Sequence, residues 1–359
     1  MKVFILTTDF TAESPPWINI FWPHYNAIRA SVPTVLLTTP NGAEEPTFQE
    51  KLAERRRRKA DAKRLQATIE AELDPSGPNL LLVWALRRRD IDRATLIEPL
   101  WDRFSHKVLT IVDNLQARHT TDHARGRYDR VTSFCGDLAR DYEKTLGIPA
   151  LHFPPHTDAL TFATPGPYRP IDLFLVGRRD MGIWPQIHHH FNAPGRNRLS
   201  VDFVSRTRNT RDDSEAEFRG LIGGYGKAKA AFAFDPARLD RFHSRSPLTE
   251  RWVHAWTSGC TVIGSAPTGA GVAEATDWPE ATINLPTTGP EAIEAVEAIL
   301  ADEEGLARRR VRNVAEALRR HDTRHRLARL LDELGLPRTA ALEEGLSDLR
   351  SRADAIERG

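Results

Sequence analysis

Short apolar runs and longer stretches with apolar residues every three or four positions alternate along the whole chain. Runs bounded by turn residues predict buried strands, and the 3.6-residue period predicts helices. Strands are predicted at 3–8, 34–39, 80–86, 108–113, 131–134 and 150–153, with helices around 18–30, 47–72, 91–104 and 138–146. At 158–170 the sequence DALTFATPGPYRP loses its period and carries three prolines and a glycine, which reads as a linker. The pattern then restarts with IDLFLVG (171–177), a helix near 184–191, and strands at 199–204, 230–234, 261–264 and 282–285. From Pro290 onward the pattern is helical, and 339–357 is long enough to leave its own domain and pack on the first. Repeated strand–helix units predict an α/β protein with parallel sheets. We expect two Rossmann-like domains, at 1–160 and 171–335, and a helical tail at 336–359.

Bulk properties narrow the function. A chain of 359 residues exceeds the usual reach of one core, and 40% apolar with 28% charged residues suits two water-exposed domains. No run of eighteen apolar residues occurs, so no transmembrane segment is expected. The opening MKVFILTTDF has one Lys before a short apolar run closed by Asp9, and reads as a first strand rather than a signal peptide. Cys135 and Cys260 lie in or beside apolar strands and are expected to be reduced, in a cytoplasmic protein. Fifty basic against forty-nine acidic residues provide no field for nucleic acid, and the basic run at 54–64 reads as the solvated face of a charged helix. His188, His189 and His190 point 100° apart on a helix and cannot share one metal ion. No D-x-D stands beside a strand, so no metal is expected. The first strand is followed by TTDFTAESPPW, without the glycines of a dinucleotide fingerprint, and no P-loop occurs; dehydrogenase and P-loop chemistry are excluded.

The candidate chemistry lies at 244–267, SRSPLTERWVHAWTSGCTVIGSAP. Ser246-Pro247 reads as a helix start and Gly259 as its end. Leu248, Trp252, Ala255 and Trp256 then share the sheet-facing side, opposite Glu250, His254 and Thr257. A helix start facing a cleft suits a diphosphate, with Arg245 and Arg251 as cationic donors beside it. This segment resembles the donor-binding helix and following strand of GT-B glycosyltransferases, especially the CgeB-like branch within the family 1 and 4 type. Their R-x-x-E-A-x-A-x-G-x-x-V run is matched here by Arg251, Ala255, Gly259 and Val262, with His254 at the second glutamate and Ser246 at the first acidic position.

The resemblance implies two Rossmann-like domains facing across a cleft, with a nucleoside diphosphate sugar of the UDP type as co-substrate and no cofactor. It leaves the acceptor open among a small molecule, a glycan and a protein. The donor set is Gly177, Arg178 and Arg179 after the strand of the second half, Arg245, Ser246, Thr249, Glu250, Arg251 and His254, and Gly269 in the loop GSAPTGAG. Glu250, one turn before His254, could take the ribose contact. Trp17, His24, Asp113 and Asn114 would border the acceptor, and His156 or Asp158 would serve as the base of an inverting enzyme. A non-catalytic nucleotide or sugar sensor and a nucleotide-sugar epimerase of the same fold stay open as alternatives.

Overall fold

The computed structural model describes residues 1–9, 20–40, 48–177, 179–203 and 213–359. Six parallel strands form the first sheet: β1 (Lys2–Thr8), β2 (Thr34–Thr39), β3 (Asn79–Ala85), β4 (His106–Ile111), β5 (Arg130–Ser133) and β6 (Ala150–His152). Their order is β2-β1-β3-β4-β5-β6. Both faces are covered, so the strands are almost continuously apolar. Val3 and Ile5 with Leu80, Leu82 and Trp84 face one core, while Phe4 and Leu6 with Leu81 and Val83 face the other. The covering elements are α1 (Phe21–Ser31), α2 (Phe48–Glu72), α3 (Arg88–Asp92), α4 (Thr121–Ala124) and α5 (Gly136–Leu146). The stretch predicted as one helix at 91–104 divides into α3 and a 3-10 turn series, Arg93–Arg103, that contains Pro99. A proline inside a helix removes a backbone donor and crowds the preceding turn.

The 158–170 stretch is more ordered than its composition predicts. It opens with a short helix, α6 (Ala159–Phe162), capped by the Asp158 carboxylate, which accepts from the Thr161 amide. The second sheet follows: β7 (Ile171–Val176), β8 (Ser200–Phe203), β9 (Ala228–Ala233), β10 (Thr261–Gly264) and β11 (Ile283–Asn284), in the order β11-β10-β9-β7-β8. It is packed by α7 (Trp184–Phe191), α8 (Asp213–Gly226), α9 (Glu250–Thr257), α10 (Val272–Ala275) and α11 (Gly289–Ala301). His188 and His189 are exposed on α7, and both cysteines are buried and unbridged.

The last helices are α12 (Glu303–Arg320), α13 (Thr323–Glu333) and α14 (Ala340–Arg358). α12 starts against the second domain, where Asn313 bonds Trp278 Nε1 and the Cys260 carbonyl. Its end and the two following helices bury Val314, Leu318, Leu331, Leu342 and Leu349 in the core of the first sheet. The tail therefore packs back on the first domain. At the crossing Arg324 pairs with Asp158 at 2.9 Å and Asp322 at 3.0 Å, and Asp322 accepts from the Leu160 amide.

Each domain has one point where strand order reverses, beside β1 and β3 in the first sheet and β7 and β9 in the second. Ligands of open α/β sheets bind at the carboxyl ends of strands there. The domains touch beside this cleft: Arg245 donates to Asp141 at 2.5 Å and Gln116 at 3.0 Å, and the Ala270 amide donates to Asp137. A Cβ on Gly136 would stand 2.3 Å from the Ala270 carbonyl, and one on Gly271 2.2 Å from His152 Nδ1. Gly271 of the 264–271 loop and Gly136 of α5 thus allow close domain contact, whereas Gly264 and Gly269 pack on backbone of their own domain.

Candidate active site

A cavity of about 530 Å³ opens between the two sheets at these switch points, within the range of small-molecule sites. Its second-domain wall is built from Val176 at the end of β7 and Gly177 after it, Asp202 and Phe203 at the end of β8, and Phe218, Leu221 and Tyr225 on α8. Leu239, Arg241 and Phe242 follow β9, and Thr249, Glu250, Arg251 and His254 come from α9. The first-domain wall consists of strand-end residues, Leu86, Val112, Asp113 and Phe134, with Ile20 and Pro155.

Helix α9 begins one turn later than Ser246-Pro247 predicts. Ser246 is engaged elsewhere: its hydroxyl donates to Asp235 at 2.7 Å and accepts from the Thr268 amide at 2.6 Å. Thr249, extended at φ −128° and ψ 168°, is the N-cap, and its side chain makes no cap hydrogen bond. Trp252 and Trp256 are fully buried as expected, but His254 and Thr257 are buried too, and the Phe218 ring of α8 lies 5.4 Å from the His254 ring.

Three polar atoms in the cavity wall lack hydrogen-bond partners: Thr249 Oγ1, Glu250 Oε2 and Tyr225 Oη. Buried polar groups are normally satisfied by protein, water or ligand, so these three oxygens are candidate contacts for a bound molecule. Glu250 Oε2 lies 3.6 Å from His254 Nε2, too long for a hydrogen bond. Burial holds His254 neutral, with its pKa lowered to about 3, so it provides no compensating charge. Desolvation consequently raises the Glu250 carboxyl to about 8, slightly offset by Arg326. Tyr225, 1% exposed, is likewise pushed upward by burial.

Positive charge faces the same wall. Gly177 adopts φ +74°, and a Cβ there would lie 3.6 Å from the Arg251 guanidinium. Arg179 pairs with Asp202 at the ends of β7 and β8. Asp113 pairs with Arg241 across the cleft at 3.0 Å, and Asn114 donates to the Arg241 carbonyl.

Of the sequence-derived site, Gly177, Arg179, Thr249, Glu250, Arg251, His254 and Asp113 come together around the cavity. Arg178 and Trp17 lie outside the described residues. The others need correction. Arg245 braces the domain interface, and Gly269 packs on the Ser246 carbonyl. Asp158 is 3% exposed and committed to the α6 cap and Arg324, which leaves it no access to a substrate. His156 bonds Thr323 Oγ1 at 2.9 Å and stacks 4.1 Å from His24, whose Nε2 meets the His156 carbonyl; neither histidine lines the cavity. Burial lowers His24 to about 4 and His156 well below its ordinary value, so both are neutral. Sequence reasoning missed Phe218, Leu221 and Tyr225. Their helical spacing is the only signal they carry, and it reads as core.

Comparison of the sequence with protein-family models and with curated proteins finds no match. Solved structures do match. HepE from Anabaena, solved in complex with UDP and glucose and with UDP-glucose, superposes with a TM-score of 0.55 at 12% identity, over 93% of this chain and 99% of that one. A glycosyltransferase from Rickettsia africae gives 0.54 at 10% identity, over 93% and 98%. An α-glucosyltransferase in complex with UDP and a 13-mer DNA also gives 0.54 at 10%, over 92% and 98%. Two doubly wound domains, an interdomain cavity and a returning helical tail thus give this chain the GT-B fold.

Proposed function

We propose that the protein transfers a sugar from a nucleoside diphosphate sugar, with UDP as the nucleotide, to a hydroxyl-bearing acceptor. The observation that carries this reading is the cluster of unpartnered Thr249, Glu250 and Tyr225 oxygens beside Arg251, at the switch point of the second sheet. HepE, on the same fold, was solved with UDP-glucose.

Arg251 and the start of α9 hold the diphosphate. Helix N-termini offer unpaired amides and a positive dipole end, and arginine adds charge-assisted hydrogen bonds. An ionised glutamate beside a diphosphate would repel it; a carboxyl with its pKa near 8 is protonated at neutral pH and can donate to a ribose or phosphate oxygen. In the transfer, the bond from the sugar's anomeric carbon to the diphosphate breaks, and its electron pair leaves with UDP. A bond to the acceptor oxygen forms, and the acceptor's proton passes to solvent at the cleft mouth, where Asp113 orients the hydroxyl. Leaving-group charge is balanced by Arg251 and the amides at the start of α9, so the transfer needs no divalent metal. Donor binding belongs to the second domain and acceptor binding to the first.

A thermal-shift series with UDP and UDP-sugars tests the reading. Ligand at a hundredfold excess over its Kd adds about 2.7 kcal/mol of stability. No stabilisation by any nucleoside diphosphate would rule the donor site out, and stabilisation without donor turnover over many acceptors would favour a sensor.

A further inference from the structure

The first-domain side of the cleft has a composition that the donor reading does not explain. Every strand of the first sheet that reaches the cavity through a described residue presents an apolar side chain there: Leu86 after β3, Val112 after β4, Phe134 after β5 and Pro155 after β6. Ile20, just before α1, adds a fifth. Among the described residues, the single polar side chain on this wall is Asp113. Its charge is already met by Arg241, whose guanidinium also covers the Phe242 ring at 4.5 Å.

The backbone adds few donors. The Leu86 amide is held by Asp90 at 2.9 Å, the Val112 amide by the Ala85 carbonyl at 3.0 Å and the Phe134 amide by the Ile111 carbonyl at 3.4 Å; Pro155 has none. From the second domain, Leu239 and Phe242 line the same cavity.

A sugar acceptor carries a hydroxyl on nearly every carbon, and each one buried without a partner weakens binding. The described part of this cavity wall offers such hydroxyls a single side-chain partner, Asp113, and the polar Arg87, Arg88 and Asn114 line only the adjoining pocket. An apolar ring system with one or two hydroxyls matches this wall: the rings rest on Leu86, Val112 and Phe134, and one hydroxyl reaches Asp113. We infer that the acceptor is a small, predominantly apolar hydroxylated molecule, an aglycone in place of a sugar or polysaccharide. This inference rests on the donor reading above and names the acceptor class of that same site.

The test uses 2-naphthol and methyl β-glucoside as probes, titrated calorimetrically into the full chain saturated with UDP. Naphthol should bind at least about tenfold more tightly than the glucoside. Val112→Asn and Phe134→Asn should each weaken naphthol binding by about tenfold, with UDP-induced thermal stabilisation unchanged as proof of an intact fold and donor site. Glucoside binding as tight as naphthol, or naphthol binding indifferent to both substitutions, overturns the acceptor class while the UDP response stands. Absence of any UDP response instead overturns the donor reading, and this inference with it.

Discussion

Replacing Glu250 by glutamine should change how stability depends on pH. The folded chain holds the Glu250 proton up to a pKa of about 8, against an ordinary 4.5, because desolvation at the cavity wall disfavours its charged form. Between these two values the folded state binds a proton that the unfolded state has released. Stability is therefore greatest below pH 4.5 and falls as pH rises through about 8. One such proton is worth about 1.4 kcal/mol per pH unit, or about 2.7 kcal/mol from pH 5.5 to 7.5. The side chain is 24% exposed, so solvent screening reduces this to about 2 kcal/mol. Glutamine keeps the shape and cannot ionise. Urea denaturation of both proteins at pH 5.5, 6.5 and 7.5 should show the natural chain losing about 2 kcal/mol relative to Glu250→Gln across this range. All other titrating groups are shared and cancel in the difference. A difference that stays constant would mean that Glu250 ionises as it does in water, and that its carboxylate would meet the diphosphate charged.

Arg251→Ala should weaken UDP binding roughly ten- to a hundredfold by calorimetry, the value of a charge-assisted hydrogen bond. Trp256→Ala should cost roughly 3–5 kcal/mol in urea denaturation, since its ring is fully buried and its Nε1 bonds the Ala281 carbonyl at 2.7 Å. Asp158→Asn should lose about 3 kcal/mol by leaving Arg324 half-compensated, yet keep full UDP affinity. Loss of affinity in the folded variant would return Asp158 to the site.

Local signals carried the architecture. Runs such as VFIL and LLLVW can be satisfied only between two layers of helices, and the apolar pattern of 184–191 coincides with α7 (Trp184–Phe191). The second-domain wall of the cavity was legible where one short segment carries it, as in Thr249-Glu250-Arg251. It was obscured where a residue's partner lies far along the chain. Ser246 has the chemistry of an N-cap, but Asp235 and Thr268 satisfy it from a distance, so α9 starts later. Gly269 and Gly271 look like ligand-approach glycines, and the same lack of a side chain lets them pack on the Ser246 carbonyl and the His152 ring. Asp158 and His156 stand at the cleft in sequence order, but the returning tail supplies Arg324 and Thr323 and engages both. Arg241 carried no signal, because its partner Asp113 belongs to the other domain.

Sugar transfer is measured as UDP released from UDP-glucose and other UDP-sugars, with a hydroxylated aromatic acceptor and EDTA present. Release should depend on acceptor, persist in EDTA and fall at least about tenfold in Arg251→Ala at subsaturating donor. No release from any nucleotide sugar by a folded, UDP-binding protein would contradict transfer, and release restored only by Mn²⁺ would contradict its metal independence.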